Sequence, residues 1–199
     1  MVLYLSIIFI ATTLIAVLNI FCNPMVINYS WWWVVLATIL SVIIEIAIDG
    51  IFAGLVHALP DKYFDPNKKV FEVSKKERKF YEKLKIKSWK DKVWDLGALG
   101  GFKKSKLVNP NSTEYIFKFL VEANIGQVVH IVDMIVGFCV MLILPYNFCL
   151  TIGLPVALVG FLLNLLPLMV LRYNVPKLKV AFKRAKILEE RKQKTESEK

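Results

Sequence analysis

Positive charge is missing from the first 60 residues of this chain. Of its 26 lysines and arginines, sixteen lie in residues 61–125 and the other ten in residues 172–199. A basic nucleic-acid-binding protein interleaves such charges with its core, so this segregation argues against a nucleic-acid partner. Three cysteines are too few for a disulfide-rich secreted scaffold, and nine glycines are too few for collagen. The 56% hydrophobic content is too high for a disordered chain.

The motifs of common soluble enzymes are also missing. The chain has no Walker loop, no GxGxxG, no GxSxG elbow and no cysteine redox pair. It has no HExxH and no Cys/His cluster, so no metal site is predicted. These absences exclude the most easily recognised soluble enzyme classes.

Long apolar runs take up most of the chain. A helix needs about 20 apolar residues to cross the hydrocarbon core of a bilayer. Four segments meet this length, at about 3–22, 31–59, 126–145 and 150–171. The first segment lacks the basic start of a signal peptide, and it is longer than the apolar region of a signal peptide. We therefore predict that it is a retained span. The fold class predicted is all-α, an integral membrane four-helix bundle.

The placement of basic residues predicts the orientation and organisation of the chain. Cytoplasmic loops and tails carry the excess of lysine and arginine. We therefore expect a multi-pass protein of the cell membrane with both termini in the cytoplasm. The predicted parts are two N-terminal transmembrane helices (1–60), a basic cytoplasmic or interfacial segment (61–125), two further transmembrane helices (126–171) and a basic cytoplasmic tail (172–199).

Local signals refine this picture. Ser74 and Glu77 form a capping-box pattern that predicts a short amphipathic helix on the inner leaflet. Glycines at 97, 100 and 101 are expected to end this stretch. The helical pattern over residues 113–144 exceeds the membrane thickness, which predicts that its first three turns project into the cytoplasm or bend near Gly126. Pro176 is expected to end the last helix, and the charged last dozen residues are expected to be disordered.

Several ionisable residues lie within the apolar segments, where burying them in the membrane costs free energy. Glu45 and Asp49 are four residues apart on one face of the second span. On the third helix, an arc of about 80° carries the residues Glu122, Gly126, His130, Asp133 and Gly137. Such a stripe can be hydrogen-bonded packing between helices, or it can be a reaction site. For Glu45 and Asp49 both interpretations stay open, whereas a histidine beside carboxylates favours a general base.

Four blocks of sequence resemble one known family. Residues 59–64 read LPDKYF, and Phe80–Tyr81 are followed by IKSWKDK at 86–92. Glu122 and His130 are spaced eight apart, and the last block reads NLLP at 164–167 and RYNVPKL at 172–178. In this order and spacing they are similar to the glycosyl-4,4′-diaponeurosporenoate acyltransferases of the staphyloxanthin pathway.

This resemblance implies a membrane acyltransferase that esterifies a sugar hydroxyl of a lipid-linked glycoside with a fatty acyl group. The acceptor implied is a glycosyl carotenoid, with another glycolipid as the alternative. No tightly bound cofactor is implied, and the co-substrate is an acyl thioester, acyl-CoA, that arrives from the cytoplasm. The partners expected are therefore the bilayer, the acceptor and the acyl donor, while the oligomeric state stays open.

Acyl transfer needs a base and donors for the oxyanion, which assigns roles to the candidate residues. We predict His130 as the base, oriented by Glu122 or Asp133, with Glu45 and Asp49 as secondary candidates. The remaining candidates are predicted to bind substrate: Trp89, Lys90 and Lys92 on the donor side, Arg172, Tyr173 and Asn174 at the donor phosphate or the oxyanion, and Asp61, Lys62 and Tyr63 in the first block.

Two other functions fit the same residues. A membrane lipid methyltransferase would use S-adenosylmethionine and add one methyl group instead of an acyl chain. A non-catalytic four-span scaffold would use the polar stripe only for packing. A transporter is disfavoured because the chain shows no inverted repeat.

Overall fold

The computed structural model describes residues 2–24, 26, 29–93 and 109–197. The glycines expected to end the amphipathic stretch, at 97, 100 and 101, lie outside these ranges. Within the described ranges the chain is helical and contains no strand. This confirms the all-α fold class.

Eight α-helices occur in the described part of the chain: α1 (Val2–Cys22), α2 (Trp31–His57), α3 (Lys75–Lys83), α4 (Ile86–Trp89), α5 (Thr113–Val136), α6 (Val140–Ile143), α7 (Tyr146–Phe148) and α8 (Leu154–Ser197). Short 3₁₀ turns occur at Asp61–Phe64, Lys69–Phe71, Lys90–Lys92 and Gly137–Cys139, and a π-helical turn at Cys149–Gly153 joins α7 to α8. Four helical stretches are long and apolar enough to cross a membrane, at Leu3–Cys22, Trp31–His57, Thr113–Ile143 and Tyr146–Ser197. The four predicted spans are thus confirmed by length and composition.

The last helix is longer than predicted. It passes through Pro176 and continues to Ser197, so the expected stop at Pro176 is wrong, as is the expected disorder of residues 188–197, while residues 198–199 lie outside the described ranges. A proline inside a helix removes one backbone hydrogen bond. Here the loss is offset by packing, because Leu171, Leu178 and Ala185, each about two turns after the one before, are buried in one apolar core.

The predicted bend near Gly126 is replaced by close packing. Helix α5 stays α-helical through Gly126, and its geometry changes only at the 3₁₀ turn Gly137–Cys139. A Cβ atom at Gly126 would lie 3.1 Å from Leu171 Cδ1. The glycine therefore lets α8 approach α5 at this point.

The chain divides into two compact units. The first comprises Met1–Ala58 and Val129–Leu166, and therefore holds α1, α2, the end of α5 and the start of α8. Its core contains the buried side chains Ile15, Val26, Val34, Phe148, Ile152 and Val156. Buried Asn19 donates a hydrogen bond to the Thr151 carbonyl (2.8 Å) in the π-helical turn. That bond compensates for the backbone pairing that the irregular turn disturbs.

The second unit comprises Leu59–Val128 and Pro167–Lys199. Its main core joins Ile116, Leu120 and other residues of α5 to α8. A second cluster packs Tyr81 and Ile86 against Val170. The Ser74 hydroxyl accepts a hydrogen bond from the Glu77 amide (3.1 Å), so Ser74 caps α3 as the sequence predicts.

Candidate active site

Asn164 of α8 connects a histidine to a carboxylate in the first unit. Its Oδ1 lies 2.9 Å from His130 Nδ1. Its Nδ2 donates to Asp49 Oδ2 (2.9 Å) and to the Gly160 carbonyl (3.3 Å). Three helices thus contribute to one hydrogen-bonded chain, since Asp49 belongs to α2 and His130 to α5.

This chain of hydrogen bonds fixes the tautomer of His130. A backbone carbonyl accepts hydrogen bonds and cannot donate them, so the nitrogen of the Asn164 amide is the atom that faces the Gly160 carbonyl and Asp49. The amide oxygen then faces the imidazole, and His130 Nδ1 must carry a hydrogen. In the neutral ring the lone pair is therefore on Nε2, which is the nitrogen able to take up a proton.

Three carboxyl groups lie close together in the same unit, and we call Glu45, Asp49 and Asp133 the carboxylate cluster. Asp133 is 5% exposed and Glu45 is 7% exposed. Glu45 Oε1 and Asp49 Oδ1 both lie within 4 Å of the position of a Cβ atom on Gly137, and Asp133 precedes Gly137 by four residues. Within the described residues, neither Asp49 Oδ1 nor Asp133 Oδ1 has a hydrogen-bond partner. Buried polar oxygens in this state are rare, so each one needs an explanation.

Two glycines make room for the carboxylate of Glu45. A Cβ atom at Gly160 would collide with this carboxylate. A Cβ atom at Gly137 would lie 3.5 Å from Glu45 Oε1 and 3.7 Å from Asp49 Oδ1, which is ordinary contact. Among the residues that the structure describes, no group of three His, Cys, Asp or Glu side chains could hold a metal ion.

Asn164, which contacts His130, is a residue to which the sequence assigned no role. Glu122, predicted as a possible orienting group, is exposed on the part of α5 that belongs to the second unit. Asn164 occurs in the sequence only as part of a family block. A stronger signal was available, because an amide inside a long apolar run loses its hydration and needs a hydrogen-bond partner.

Arg172 is the centre of the second unit's polar contacts, and we call it and its partners the Arg172 clamp. Its guanidinium binds both carboxylate oxygens of Glu77, the bond to Oε2 being 2.9 Å long. It also donates to Gln127 Oε1 (3.0 Å) and to the Glu72 carbonyl (3.1 Å). Helix α3 and the segment before it are thereby tied to α8.

The clamp extends to the first family block. Gln127 donates to Asn124 Oδ1 (3.0 Å), and Asn124 donates to the Phe64 carbonyl (2.9 Å). Phe64 itself is 2% exposed. The 3₁₀ turn Asp61–Phe64 is therefore anchored through Phe64, while Asp61, Lys62 and Tyr63 remain exposed.

Two ionisable groups of α3 respond to these contacts. The hydrogen bonds between Glu77 and Arg172 lower the pKa of Glu77 below its ordinary value of 4.5, although partial burial opposes this shift. Burial raises the pKa of Tyr81 to about 12, and its hydrogen bond to Glu77 (2.6 Å) adds to that shift. At neutral pH Glu77 is therefore charged and Tyr81 is a hydrogen-bond donor.

The other predicted substrate-binding residues lie in the second unit. Trp89 Nε1 donates to the Leu84 carbonyl (3.0 Å), which holds the indole against its own helix connection. Lys90 Nζ lies 3.5 Å from Asp91 Oδ1, and the side chain of Lys92 is exposed. The ammonium group of Lys177 lies 3.9 Å from the centroid of the Tyr173 ring, and Asn174 is half-buried.

Comparison with known proteins identifies the family of the chain. A search of curated proteins and a search of solved structures each found no match. The family model described as glycosyl-4,4′-diaponeurosporenoate acyltransferase matches residues 60–184, which contain the sequence blocks quoted above apart from Leu59. Since this match covers more than half of the 199 residues, the chain belongs to the glycosyl-4,4′-diaponeurosporenoate acyltransferase family and is a membrane acyltransferase.

Proposed function

We propose that the protein transfers a fatty acyl group from an acyl thioester, acyl-CoA, to a sugar hydroxyl of a glycosyl carotenoid, with His130 as the general base. The observation that carries this proposal is the chain of hydrogen bonds from Asp49 through Asn164 to His130. A base held in one tautomer by a second group, which is itself held by a carboxylate, is an arrangement that supports general-base catalysis of acyl transfer.

The chemical step follows from that tautomer. Nε2 of His130 removes the proton of the sugar hydroxyl while the hydroxyl oxygen attacks the thioester carbonyl carbon. A carbon–oxygen bond forms and the carbon–sulfur bond breaks. The proton taken by His130 then passes to the leaving thiolate, so an ester and a free thiol are released. The charge of Asp49 stabilises the transient imidazolium through the Asn164 amide.

The side chains proposed to bind the acyl donor have chemistry that suits acyl-CoA. Lys90 and Lys92 supply positive charge for the phosphates of acyl-CoA, and Trp89 supplies an aromatic surface. Tyr173 and Asn174 remain proposed contacts of the donor or the oxyanion, and Asp61, Lys62 and Tyr63 remain proposed substrate contacts. For Arg172, the bonds to Glu77 favour a positioning role for the interfacial helix over direct phosphate binding.

The chain offers a matched pair for the test, because it contains only two histidines. His57 is exposed, and its Nδ1 bonds to the Ala53 carbonyl of its own helix (2.8 Å). In purified protein in nanodiscs, His130→Ala should lower kcat about 10²–10⁴-fold, the range for loss of a general base. His57→Ala should leave kcat unchanged.

The product is identified by its mass, which increases by one long acyl chain in acyl transfer and by one methyl group in methyl transfer. A His130→Ala variant with wild-type kcat would refute the assignment of the base. A methylated product would refute the proposed reaction.

A further inference from the structure

The carboxylate cluster contains two buried oxygens whose role the chemical step leaves open. Asp49 uses Oδ2 to bind Asn164, but its Oδ1 has no hydrogen-bond partner in the described residues, and the same is true of Asp133 Oδ1. Leaving a buried polar atom unsatisfied costs about 1–3 kcal/mol, and more for a charged group. Such oxygens are stable when a ligand supplies the missing donors.

We infer that Glu45, Asp49 and Asp133 bind the hydroxyl groups of the acceptor's sugar. This inference rests on the proposed function, because it places the sugar beside the proposed base. Carboxylate oxygens are acceptors and need O–H or N–H donors. A glycoside carries several hydroxyls on one ring, so one ring can satisfy more than one of these oxygens. A metal ion is a poorer occupant, since the cluster lacks a metal-binding arrangement among the described residues.

The position of Asp133 relates this subsite to the base. Asp133 follows His130 by three residues on α5, and residues at that spacing lie on the same helix face. Asp49 joins the two functions more directly, because one of its oxygens holds Asn164 while the other faces the cluster. A sugar held by Asp133 and Asp49 would therefore present a neighbouring hydroxyl to His130.

Gly137 leaves a methyl-sized space beside the oxygens that would bind a hydroxyl. Its missing Cβ would lie 3.5 Å from Glu45 Oε1 and 3.7 Å from Asp49 Oδ1. Hydroxyl oxygens bind carboxylates at about 2.5–2.7 Å, so a ligand needs close access to both oxygens, and a methyl group at 137 would reduce the space for it. An alanine at 137 would contact the protein without a clash, yet it would fill this space.

Two variants test the subsite, and each has a matched control. Asp133→Asn removes the charge with little change in size, and Gly137→Ala fills the space. Glu190→Gln changes an exposed carboxylate of α8, and Gly54→Ala adds a methyl group where nothing lies within 4 Å. The assay uses full-length protein in nanodiscs with glycosyl-4,4′-diaponeurosporenoate and a long-chain acyl-CoA.

We expect Asp133→Asn and Gly137→Ala each to raise the acceptor KM about tenfold, with a smaller fall in kcat and no change in the acyl-CoA KM. The two control variants should keep the wild-type acceptor KM. An active enzyme whose acceptor KM is the same in wild type, Asp133→Asn and Gly137→Ala would overturn the subsite. An equal rise in all four variants would overturn it as well.

A binding measurement separates the subsite from the reaction. Wild-type protein should bind the glycosyl carotenoid more tightly than the same carotenoid acid without its sugar, and Asp133→Asn and Gly137→Ala should reduce that difference. If wild type shows this preference but forms no ester, the proposed function fails and the subsite is supported. If wild type forms the ester but shows no preference, the subsite fails and the proposed function stands.

Discussion

At the scale of single residues, Asn164 does what neither a leucine nor an aspartate could do in its place. Its oxygen accepts from His130 and its nitrogen donates to Asp49, so one amide joins a base to a carboxylate. An aspartate would place a second charge against Asp49, and a leucine would remove both of these hydrogen bonds. The amide is therefore the group on which the orientation of the imidazole depends.

Replacement of Asn164 by leucine should thus lower kcat about 10²-fold, because the imidazole loses its fixed tautomer and orientation. Asn19→Leu is the matched control. It removes another buried amide of the same unit, one that bonds to Thr151. That control should lower the melting temperature and leave the kcat of the folded protein unchanged. Wild-type kcat in Asn164→Leu would contradict this role of Asn164.

At the scale of helices, Gly160 allows α8 to pack against the Glu45 carboxylate of α2. An added methyl group would collide with this carboxylate. Gly160→Ala should therefore destabilise the protein by about 1–3 kcal/mol, the usual cost of overpacking. Gly54→Ala, with nothing within 4 Å, should be neutral or stabilise by up to about 1 kcal/mol. Thermal unfolding in nanodiscs measures both, and equal melting temperatures would contradict the packing at Gly160.

Helix α3 is held to α8 by a charge pair whose strength depends on pH. Arg172 and Glu77 have side chains only 18% and 23% exposed, whereas Arg78 and Glu82 of the same helix are 64% and 53% exposed. Hydrogen bonds to a charged group contribute about 1.5–3 kcal/mol, and exposed pairs about 0.3–0.5 kcal/mol. Glu77→Gln should therefore destabilise the protein several times more than its matched control, Glu82→Gln.

The lowered pKa of Glu77 fixes the sign of the pH effect. Because the folded state favours the charged carboxylate, the stabilisation is complete above the ordinary value of 4.5 and is lost as the pH falls toward the lower folded value. The difference in melting temperature between wild type and Glu77→Gln should be largest at pH 7 and should shrink at about pH 3.5. A difference that is constant over this range would contradict the assignment.

At the scale of the whole molecule, the sequence predicts the features that depend on local composition and residue spacing. Four apolar runs, the Ser74 cap and the family resemblance are confirmed, since each is carried by residues close together in the chain. The contacts of Asn164 with Asp49 and His130 join residues 115 and 34 positions apart. No local pattern specifies such pairs. The continuation of α8 through Pro176 was missed for the same reason, because packing against α5 stabilises it.

The orientation of the chain in the membrane is a prediction that concerns all four spans together. The 26 basic residues are confined to 61–125 and 172–199, and the connections at 23–30 and 145–149 have none. Because the excess of lysine and arginine stays in the cytoplasm, both termini and the segment with α3 should be cytoplasmic. Alkaline phosphatase, which is active only after export, should be active when fused after residues 28 or 147. Fluorescent-protein fusions after residues 85 or 199 should fluoresce, since these sites stay inside. An active phosphatase fused after residue 199 would contradict this orientation. Lys90 and Lys92 would then face the outside of the cell, and the basis for a cytoplasmic acyl donor would be lost.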